Sequence, residues 1–220
     1  MVPLSFASQD FLATPEGALF WPGQGALLVA DLHLEKASWF ARIGQFLPPY
    51  DSQATLSTLA ECVERSGAKR LYCLGDSFHD RFGCDRLPEQ SRALLTGLTA
   101  ALDWVWIVGN HDPGFADHCG GRIVEEVEAG PLVLRHEAVR QESRPEISGH
   151  YHPKVRLSVR GKNVSRRCFV VSGSKIIMPA FGSLTGGLDV RHPEIVKQLA
   201  GPAQALVPVA DRLLSFPLAA

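Results

Sequence analysis

Short polar motifs with metal-binding side chains follow five apolar runs of the sequence. The motifs are Asp31-Leu32-His33, Gly75-Asp76, Gly109-Asn110-His111-Asp112, Arg135-His136 and Gly149-His150-Tyr151-His152. Because alternate residues of an extended segment point to the same side, Asp31 and His33 can bind one ion together, and so can His150 and His152. The donors are carboxylate, carboxamide and imidazole groups without a thiolate, a set that suits Mn²⁺, Fe²⁺ or Zn²⁺ better than Ca²⁺. The motifs therefore predict a transition-metal site.

These motifs need strands to bring them together, and the apolar runs before them have the expected patterns. Residues 26–30 form a continuous apolar run that is typical of a strand buried on both faces. Further strands are predicted at 70–75, 103–109, 122–128, 131–136, 145–149, 154–160 and 167–172. Because open α/β sheets bind ligands at the carboxyl ends of their strands, we expect the motifs to meet at one edge.

Two helices are predicted between the early strands. One covers 51–66, with Asp51 or Ser52 as its N-cap and Gly67 after its end, and the other covers 88–102. Helices and strands alternate at first, and strands dominate after about residue 122. This order favours two packed sheets with helices outside them.

Composition sets broader limits. The 220-residue chain has a net charge of −1 and 45% hydrophobic residues, and we expect one globular domain over residues 1–220. It lacks a run of about 18 apolar residues and the pattern of a signal peptide, so no membrane segment is predicted. The five cysteines are odd in number and include no CxxC pair. They predict neither a disulfide framework nor a zinc finger, and they favour a reducing cytoplasm.

The order of the motifs resembles that of the calcineurin-like metallophosphoesterase superfamily. D-x-H, G-D, G-N-H-D, a lone His and G-H-x-H follow one another over residues 31–152. The resemblance implies a four-layer αββα sandwich of two mixed β-sheets flanked by helices, with two divalent metal ions at one end. The implied ligands are Asp31, His33, Asp76 and His152 for one metal, and Asp76 as a bridge with Asn110, His136 and His150 for the other. It also implies that His111 faces the substrate and that Asp112 orients its ring.

Such a site favours a phosphoester substrate. Two divalent ions bring +4, whereas Asp31 and Asp76 return only −2, so the pocket attracts an anion. A pair of metals, with Mn²⁺ the first expectation and Fe or Zn the alternatives, can hold a hydroxide for attack on phosphorus. The leaving alkoxide needs a proton, and His111 is our candidate for the general acid because an imidazole can titrate near neutral pH.

Longer segments narrow the resemblance to one family. They are DLHLEKA (31–37), FLPPYD (46–51), GDSFHD (75–80), GHYHP (149–153) and MPAFGSLTGGL (178–188). These segments resemble the ligase-associated DNA damage response endonucleases, called PdeM, and the likeness covers about residues 11–190. It implies a bacterial DNA endonuclease with DNA ligase and helicase partners in repair. One departure is Glu137, since many superfamily members have Gly after the lone His.

The stretch after the last motif is basic. Residues 154–175, the basic stretch, contain seven Lys or Arg residues and no Asp or Glu. Apolar and polar residues alternate over 155–160, so a strand there would bury one face and present a basic one. Lys154, Arg156 and Arg160 are therefore candidate contacts to nucleic acid, through sequence-independent phosphate binding. The alternative is a solvated hairpin without a ligand.

Other interpretations remain open from the sequence. A small-molecule phosphoesterase acting on cyclic nucleotides, nucleotides or a lipid-precursor pyrophosphate would use the same metals. A non-catalytic scaffold that binds partners is a hypothesis of another class. Within the site, His111 could be structural, and His79 and Asp80 could support the ligands or only shape their loop through local hydrogen bonds.

Overall fold

A computed structural model describes residues 1–112, 119–159 and 161–218, which form two seven-stranded sheets and a two-stranded hairpin. The first sheet contains, side by side in chain order, β1 (Val2–Phe6), β2 (Gln9–Ala13), β3 (Leu19–Trp21), β4 (Ala26–Val29), β5 (Arg70–Leu74), β6 (Asp103–Ile107) and β7 (Arg122–Val124). Strands β1 to β4 pair antiparallel, whereas β4 to β7 pair parallel. Parallel pairing places the carboxyl ends of β4, β5 and β6 at the same edge.

Helices make the parallel crossovers and cover the outer face of this sheet. They are α1 (Lys36–Arg42) and α2 (Asp51–Ser66) between β4 and β5, then α3 (Gly83–Arg86) and α4 (Glu89–Ala101) between β5 and β6. Leu56 and Leu59 of α2 and Leu95 of α4 are buried in one cluster with Leu27 and Leu71 of the sheet. Burying such a side chain contributes about 1.5–3 kcal/mol, so this face holds the helices in place.

The second sheet packs face to face on the first. Its strands are β8 (Val127–Ala129), β9 (Leu132–Leu134), β10 (Glu146–Ser148), β13 (Phe169–Ser172), β14 (Lys175–Ile177), β15 (Ala203–Val209) and β16 (Arg212–Leu218), in the order β16-β15-β13-β14-β10-β9-β8. Strands β9, β10 and β14 pair parallel. Leu28 and Val105 of the first sheet share a buried core with Leu134, Ile147 and Ile176 of the second.

A hairpin covers much of the outer face of the second sheet. It consists of β11 (Lys154–Val159) and β12 (Lys162–Arg167), and the short helix α5 (Pro193–Val196) lies in the same layer. Val155 of the hairpin and Ile195 of α5 are buried in one cluster with Val170 and Ile177 of the sheet. The predicted fold class, a mixed α/β sandwich of two mixed sheets, is thus confirmed.

Some elements escaped prediction for a physical reason. Strands β1, β15 and β16 contain Pro3, Pro208 and Pro217, and proline lacks the N–H that a strand donates, so such runs are read as loops. The residues before the predicted helix 51–66 also behave differently. The predicted N-cap, Asp51 or Ser52, was wrong: Tyr50 occupies that position and makes no side-chain bond. The Asp51 carboxylate accepts the N–H of Ala37 at 3.1 Å.

The cysteine prediction was wrong in one respect. Cys84 of α3 and Cys119 form a disulfide across 35 residues of sequence, with their Cα atoms 6.8 Å apart. The spacing of the cysteines in the sequence does not predict this disulfide, because the two residues become neighbours only in the folded chain. Cys62, Cys73 and Cys168 are free and buried.

Across the described residues, every helix is too short or too polar to traverse a bilayer.

Candidate metal centre

The loops after β4 and β5 carry the first candidate ligands. Beyond the strand ends the two loops run side by side, with the Asp31 N–H donating to Gly75 O at 3.1 Å and the His33 N–H to Asp76 O at 2.9 Å. These backbone bonds fix Asp31, His33 and Asp76 relative to one another, and all three residues are buried. The edge of the first sheet therefore positions the site before any ion binds.

The loops after β9 and β10 add ligands from the second sheet. The Gly149 N–H donates to His136 O at 2.9 Å, which holds the two loops together. The His150 N–H donates to Asp31 Oδ2 at 2.9 Å, across 119 residues of sequence. This last bond passes from one sheet to the other, so the two sheets meet at the site.

Four side chains form the first donor group: Asp31, His33, Asp76 and His152. Each offers a donor atom, and these atoms all lie within 4.8 Å of one another. His152 Nε2 lies 3.2 Å from Asp31 Oδ1 and 3.3 Å from His33 Nε2, which in turn lies 3.7 Å from Asp76 Oδ2. Atoms that each bind one ion at about 2.0–2.2 Å are about 3.0–3.6 Å apart. The two spacings from His152 fit an ion, and the spacing between His33 and Asp76 is slightly longer.

The second donor group consists of Asp76, Asn110, His136 and His150. The Nδ1 of His136 donates to Leu74 O at 2.9 Å, which leaves its Nε2 with a free lone pair. Asn110 Oδ1 lies 2.9 Å from both this Nε2 and the Nδ1 of His150, and Asp76 Oδ1 lies 3.5 Å from the same Nε2. Such contacts form either when a ring N–H donates to the neighbouring atom or when a cation lies between the lone pairs, so this group can also hold an ion.

The structure thus brings together all seven side chains that the sequence analysis proposed as ligands. Asp76 belongs to both groups. The donors are oxygen and imidazole nitrogen, a set that several divalent first-row metals accept.

Many of these residues have an unusual backbone. Five of the seven have φ between +44° and +73°, in the left-handed region: Asp31, His33, Asp76, His150 and His152. A residue other than glycine in this region costs about 1–3 kcal/mol, and such strain is concentrated at functional sites. With this backbone, the five side chains lie close together in the two donor groups.

Glycine precedes three of the candidate ligands because space is short. A Cβ at Gly75 would lie 2.5 Å from Cγ of His136, and one at Gly149 would lie 2.6 Å from Asp31 Oδ2. Gly75 also has φ +78°, whereas Gly109 and Gly149 do not need a left-handed backbone. Close approach to the ligands is therefore the requirement that all three share.

Burial lowers the pKa of three histidines at or beside the donor groups: His33, His79 and His150. It lowers the pKa of His33 to about 2, with repulsion from His152 and Lys36 adding to the effect. Burial, followed by Lys36, lowers the pKa of His79 to about 4. The pKa of His150 is lowered by burial and by His136. Neutral imidazoles at pH 7 offer their lone pairs to a metal without first losing a proton.

His111 and Asp112 have different surroundings from those that the resemblance implied. The Nδ1 of His111 faces His79 O at 3.1 Å, and the His111 and His79 rings stack at 5.3 Å. The buried Asp112 carboxylate instead accepts the backbone N–H groups of Ser77, Phe78 and Gly109 at 3.1–3.3 Å. Asp112 therefore joins the two ligand loops, and His79 rather than Asp112 orients the His111 ring. Burial raises the pKa of Asp112, and these N–H groups oppose the rise.

Glu35 had no role assigned from the sequence, and Ser52 and Asp51 were considered only as N-caps. The buried Glu35 accepts the Ser52 hydroxyl at 2.7 Å, and that hydroxyl accepts the Glu35 N–H at 2.8 Å. Asp51, next to Ser52, accepts the Ala37 N–H. The start of α2 is thereby tied to the loop that carries His33. Glu35 lies within the segment DLHLEKA and Ser52 directly follows FLPPYD, and these positions were the signal in the sequence for a role at the site.

The segment at 178–188 packs against the ligand loops. The Phe181 N–H donates to Ala30 O at 2.8 Å, and the Gly182 N–H donates to Asp31 O at 3.2 Å. A Cβ at Gly182 would collide with the backbone of Leu32, and one at Gly187 would collide with His152 O. These glycines allow close packing behind the site.

The basic stretch is less exposed than its composition suggests. Lys175 is buried in an ion pair within the second sheet, and the half-buried Arg167 donates to backbone carbonyls of the 178–188 segment. Lys154 is half-buried and donates to a backbone carbonyl at 3.2 Å, whereas Arg156 is exposed. Arg160 lies outside the described residues. Of the two proposed nucleic-acid contacts that the structure describes, Arg156 is exposed and Lys154 is half-buried.

A groove of about 920 Å³ adjoins the second donor group. This aromatic groove extends from Asn110 and His111 between α1 and the loop at 79–82, and Trp39, Phe40 and Phe82 line it. The sequence analysis did not identify it. The available signal was the run Trp39-Phe40-Ala41-Arg42, which places rings next to a cation shortly after the first ligand motif.

Comparison with one solved structure supports the sandwich. The sequence matches no protein-family model, and a comparison with curated proteins finds no match. Among solved structures, the chain is similar to the nuclease MPE of Pseudomonas putida, with 27% identity and a TM-score of 0.75 over 97% of this chain and 98% of that one. Yfce, a phosphoesterase from E. coli, is less similar, with 16% identity and a TM-score of 0.41 over 82% of this chain and 87% of that one.

Proposed function

We propose that this chain is a dinuclear metal-dependent phosphoesterase that hydrolyses phosphodiester bonds in DNA. The observation that carries the proposal is the pair of donor groups that share Asp76, built by loops of both sheets. The similarity to a nuclease over nearly the whole of both chains supports a nucleic-acid substrate. Mn²⁺ is the metal that we expect first, with Fe or Zn as alternatives.

Bound divalent ions would acidify a water molecule and offset the charge of the phosphate. The side chains around them have separate tasks. Asp31, His33 and His152 would hold one ion and Asn110, His136 and His150 the other, with Asp76 between them. His111 would act in its doubly protonated form: with Nδ1–H held by His79 O, the ring would give its Nε2 proton to the leaving oxygen.

We also infer that the chain belongs with the PdeM endonucleases. The segments at 31–37, 46–51, 75–80, 149–153 and 178–188 support this, because the structure gathers them around one site. Membership would make the chain a bacterial DNA-repair endonuclease that works in the cytoplasm with DNA ligase and helicase partners.

The test starts from protein treated with a chelator and then given Mn²⁺, Fe²⁺ or Zn²⁺. We expect hydrolysis of bis(p-nitrophenyl) phosphate and of plasmid DNA to return with about two ions bound per chain. Asp76→Asn should lose metal and both activities, since it removes a ligand of both ions. Asp211→Asn is the matched control, because the Asp211 side chain is 90% exposed and far from the donor groups in sequence.

The same assays separate the alternatives. Turnover of the small diester without cleavage of DNA at any salt concentration would indicate a small-molecule phosphoesterase instead. Unchanged hydrolysis in Asp76→Asn would contradict the metal mechanism. No activity on either substrate, with two ions bound, would favour a scaffold.

A further inference from the structure

The aromatic groove has a lining that hydrolysis itself does not need. Trp39 and Phe40 of α1 are half-buried, and Ile43 and Phe82 are 53% and 45% exposed. Large apolar side chains grouped in an open groove are costly in water, and such a grouping marks a binding surface.

The rings of the groove connect it to the metal centre. Phe40 and His79 are nearly parallel, at 18° and 6.0 Å, and His79 and His111 are nearly parallel, at 17° and 5.3 Å. Trp39 meets the edge of His79 at 4.8 Å. A flat ring bound in the groove would therefore continue a series of rings that ends at the proposed proton donor.

Cations surround these rings. Lys36, Arg42 and Arg81 line the same groove, and the guanidinium of Arg81 lies 4.6 Å from the Phe82 ring centre. The only acid among the described lining residues, Asp80, is already paired with Arg86 at 2.6 Å. Ring faces beside cations are the combination that binds a base and its phosphate.

The groove is also preformed. Arg86 bonds both oxygens of Asp80 and donates to Ser38 Oγ of α1 at 3.0 Å, so it joins the two walls. Because the walls are fixed before binding, a ligand loses little free energy in ordering them.

We propose that the aromatic groove is a nucleobase subsite, which takes the base of the nucleotide next to the phosphate at the metal centre. Trp39, Phe40 and Phe82 supply the ring surface, and Arg42 and Arg81 contact the flanking phosphate. This inference rests on the proposed function, since it names the part of the substrate that determines where the phosphate lies.

Binding is measured with a ten-nucleotide oligothymidylate and with an abasic oligomer of the same length and charge. Chelator prevents hydrolysis, and tryptophan fluorescence is the readout. Trp39 is the half-buried tryptophan, whereas Trp21, Trp104 and Trp106 are each 1% exposed. We expect quenching and about tenfold tighter binding by the oligothymidylate. In metal-loaded enzyme, the same preference should appear in the competitive inhibition of bis(p-nitrophenyl) phosphate hydrolysis.

Variants assign the preference to the groove. Phe40→Ala and Phe82→Ala should bring the two affinities together by weakening only the oligothymidylate. Phe40→Leu keeps the apolar volume, and we expect it to lose the preference while folding normally. Phe46→Ala is the matched control, because Phe46 is 86% exposed and does not line the groove. Trp39→Phe should keep the preference and lose the quenching.

Equal affinity for the two oligomers in the unaltered protein would overturn the subsite, as would an equal loss for both in Phe40→Leu. The outcome is independent of hydrolysis. A base preference in protein that cleaves no phosphodiester would support the subsite and contradict the proposed function. Cleavage of phosphodiesters without a base preference would support the proposed function and contradict the subsite.

Discussion

His111 is the residue whose role most directly separates a catalytic site from a metal-binding one. We predict that His111→Ala lowers kcat on DNA by about 10²–10⁴-fold, because the alkoxide leaving group then departs without a proton. The loss on bis(p-nitrophenyl) phosphate should be less than about tenfold, since nitrophenolate leaves unprotonated. Steady-state kinetics on both substrates measure the difference.

Metal content is the control for this variant, because His111 contributes no donor atom to either group of acidic and histidine ligands. An equal loss on both substrates with two ions still bound would assign His111 a structural role instead.

Gly75 offers a second residue-level test with a matched partner. Gly75 and Gly67 both have left-handed backbones, at φ +78° and +66°, but a Cβ meets the His136 ring at Gly75 and open space at Gly67. We predict that Gly67→Ala costs about 1 kcal/mol of unfolding free energy and leaves metal binding intact. Gly75→Ala should cost more and reduce metal content, because His136 must move.

Urea unfolding of both variants measures the cost of backbone strain, and metal analysis shows whether His136 has been displaced. Identical results for the pair would mean that the space in front of His136 is not needed.

The ligands could be predicted from sequence because each lies in a short motif directly after a strand. The role of Asp112 could not, since its partners Ser77 and Phe78 belong to another loop that only the fold brings near. The left-handed φ of Asp31 and His33 was equally hidden, because the expected alternation of an extended segment does not describe such a backbone.

Between elements, the Cys84–Cys119 disulfide holds α3 to the region after the Asn110 loop. We predict that denatured protein purified without reductant has three reactive thiols, those of Cys62, Cys73 and Cys168, and five after reduction. Thiol titration, with mass spectrometry of the linked peptides, measures this.

Cys84→Ser should then unfold at a lower temperature, since a loop of this length stabilises the fold by about 3–4 kcal/mol when closed. Five reactive thiols before reduction would show that the bond does not form, as the cysteine pattern alone predicted.

For the whole molecule, the buried histidines make stability depend on pH. The fold holds the pKa of His33 at about 2 and that of His79 at about 4, below the ordinary value of 6.5. Between each lowered pKa and 6.5, the unfolded chain binds more protons than the folded one. Stability that is present above pH 6.5 is therefore lost as the pH falls below it. We predict a falling Tm of metal-free protein from pH 7 to 5.

Calorimetry across this range gives the slope, and His79→Asn should make it shallower. A constant Tm would contradict the burial of neutral imidazoles.

The overall architecture was predictable because helix and strand alternation marks the first sheet and dense strands mark the second. The covering of the second sheet was not, because the β11–β12 hairpin is recognised as an outer layer only from Val155 packing on that sheet. Strands β15 and β16 were not predicted because each contains a proline, which lacks the N–H that a strand donates.

The hydrogen bond from His150 to Asp31 joins residues that belong to different sheets. Asp31, His33, Asp76 and Asn110 follow strands of the first sheet, whereas His136, His150 and His152 follow strands of the second. Each ion would therefore cross-link the two halves of the molecule, and neither half alone supplies a complete donor group. Metal uptake during refolding would report the moment at which the two halves dock, and metal loading would protect the molecule against their separation.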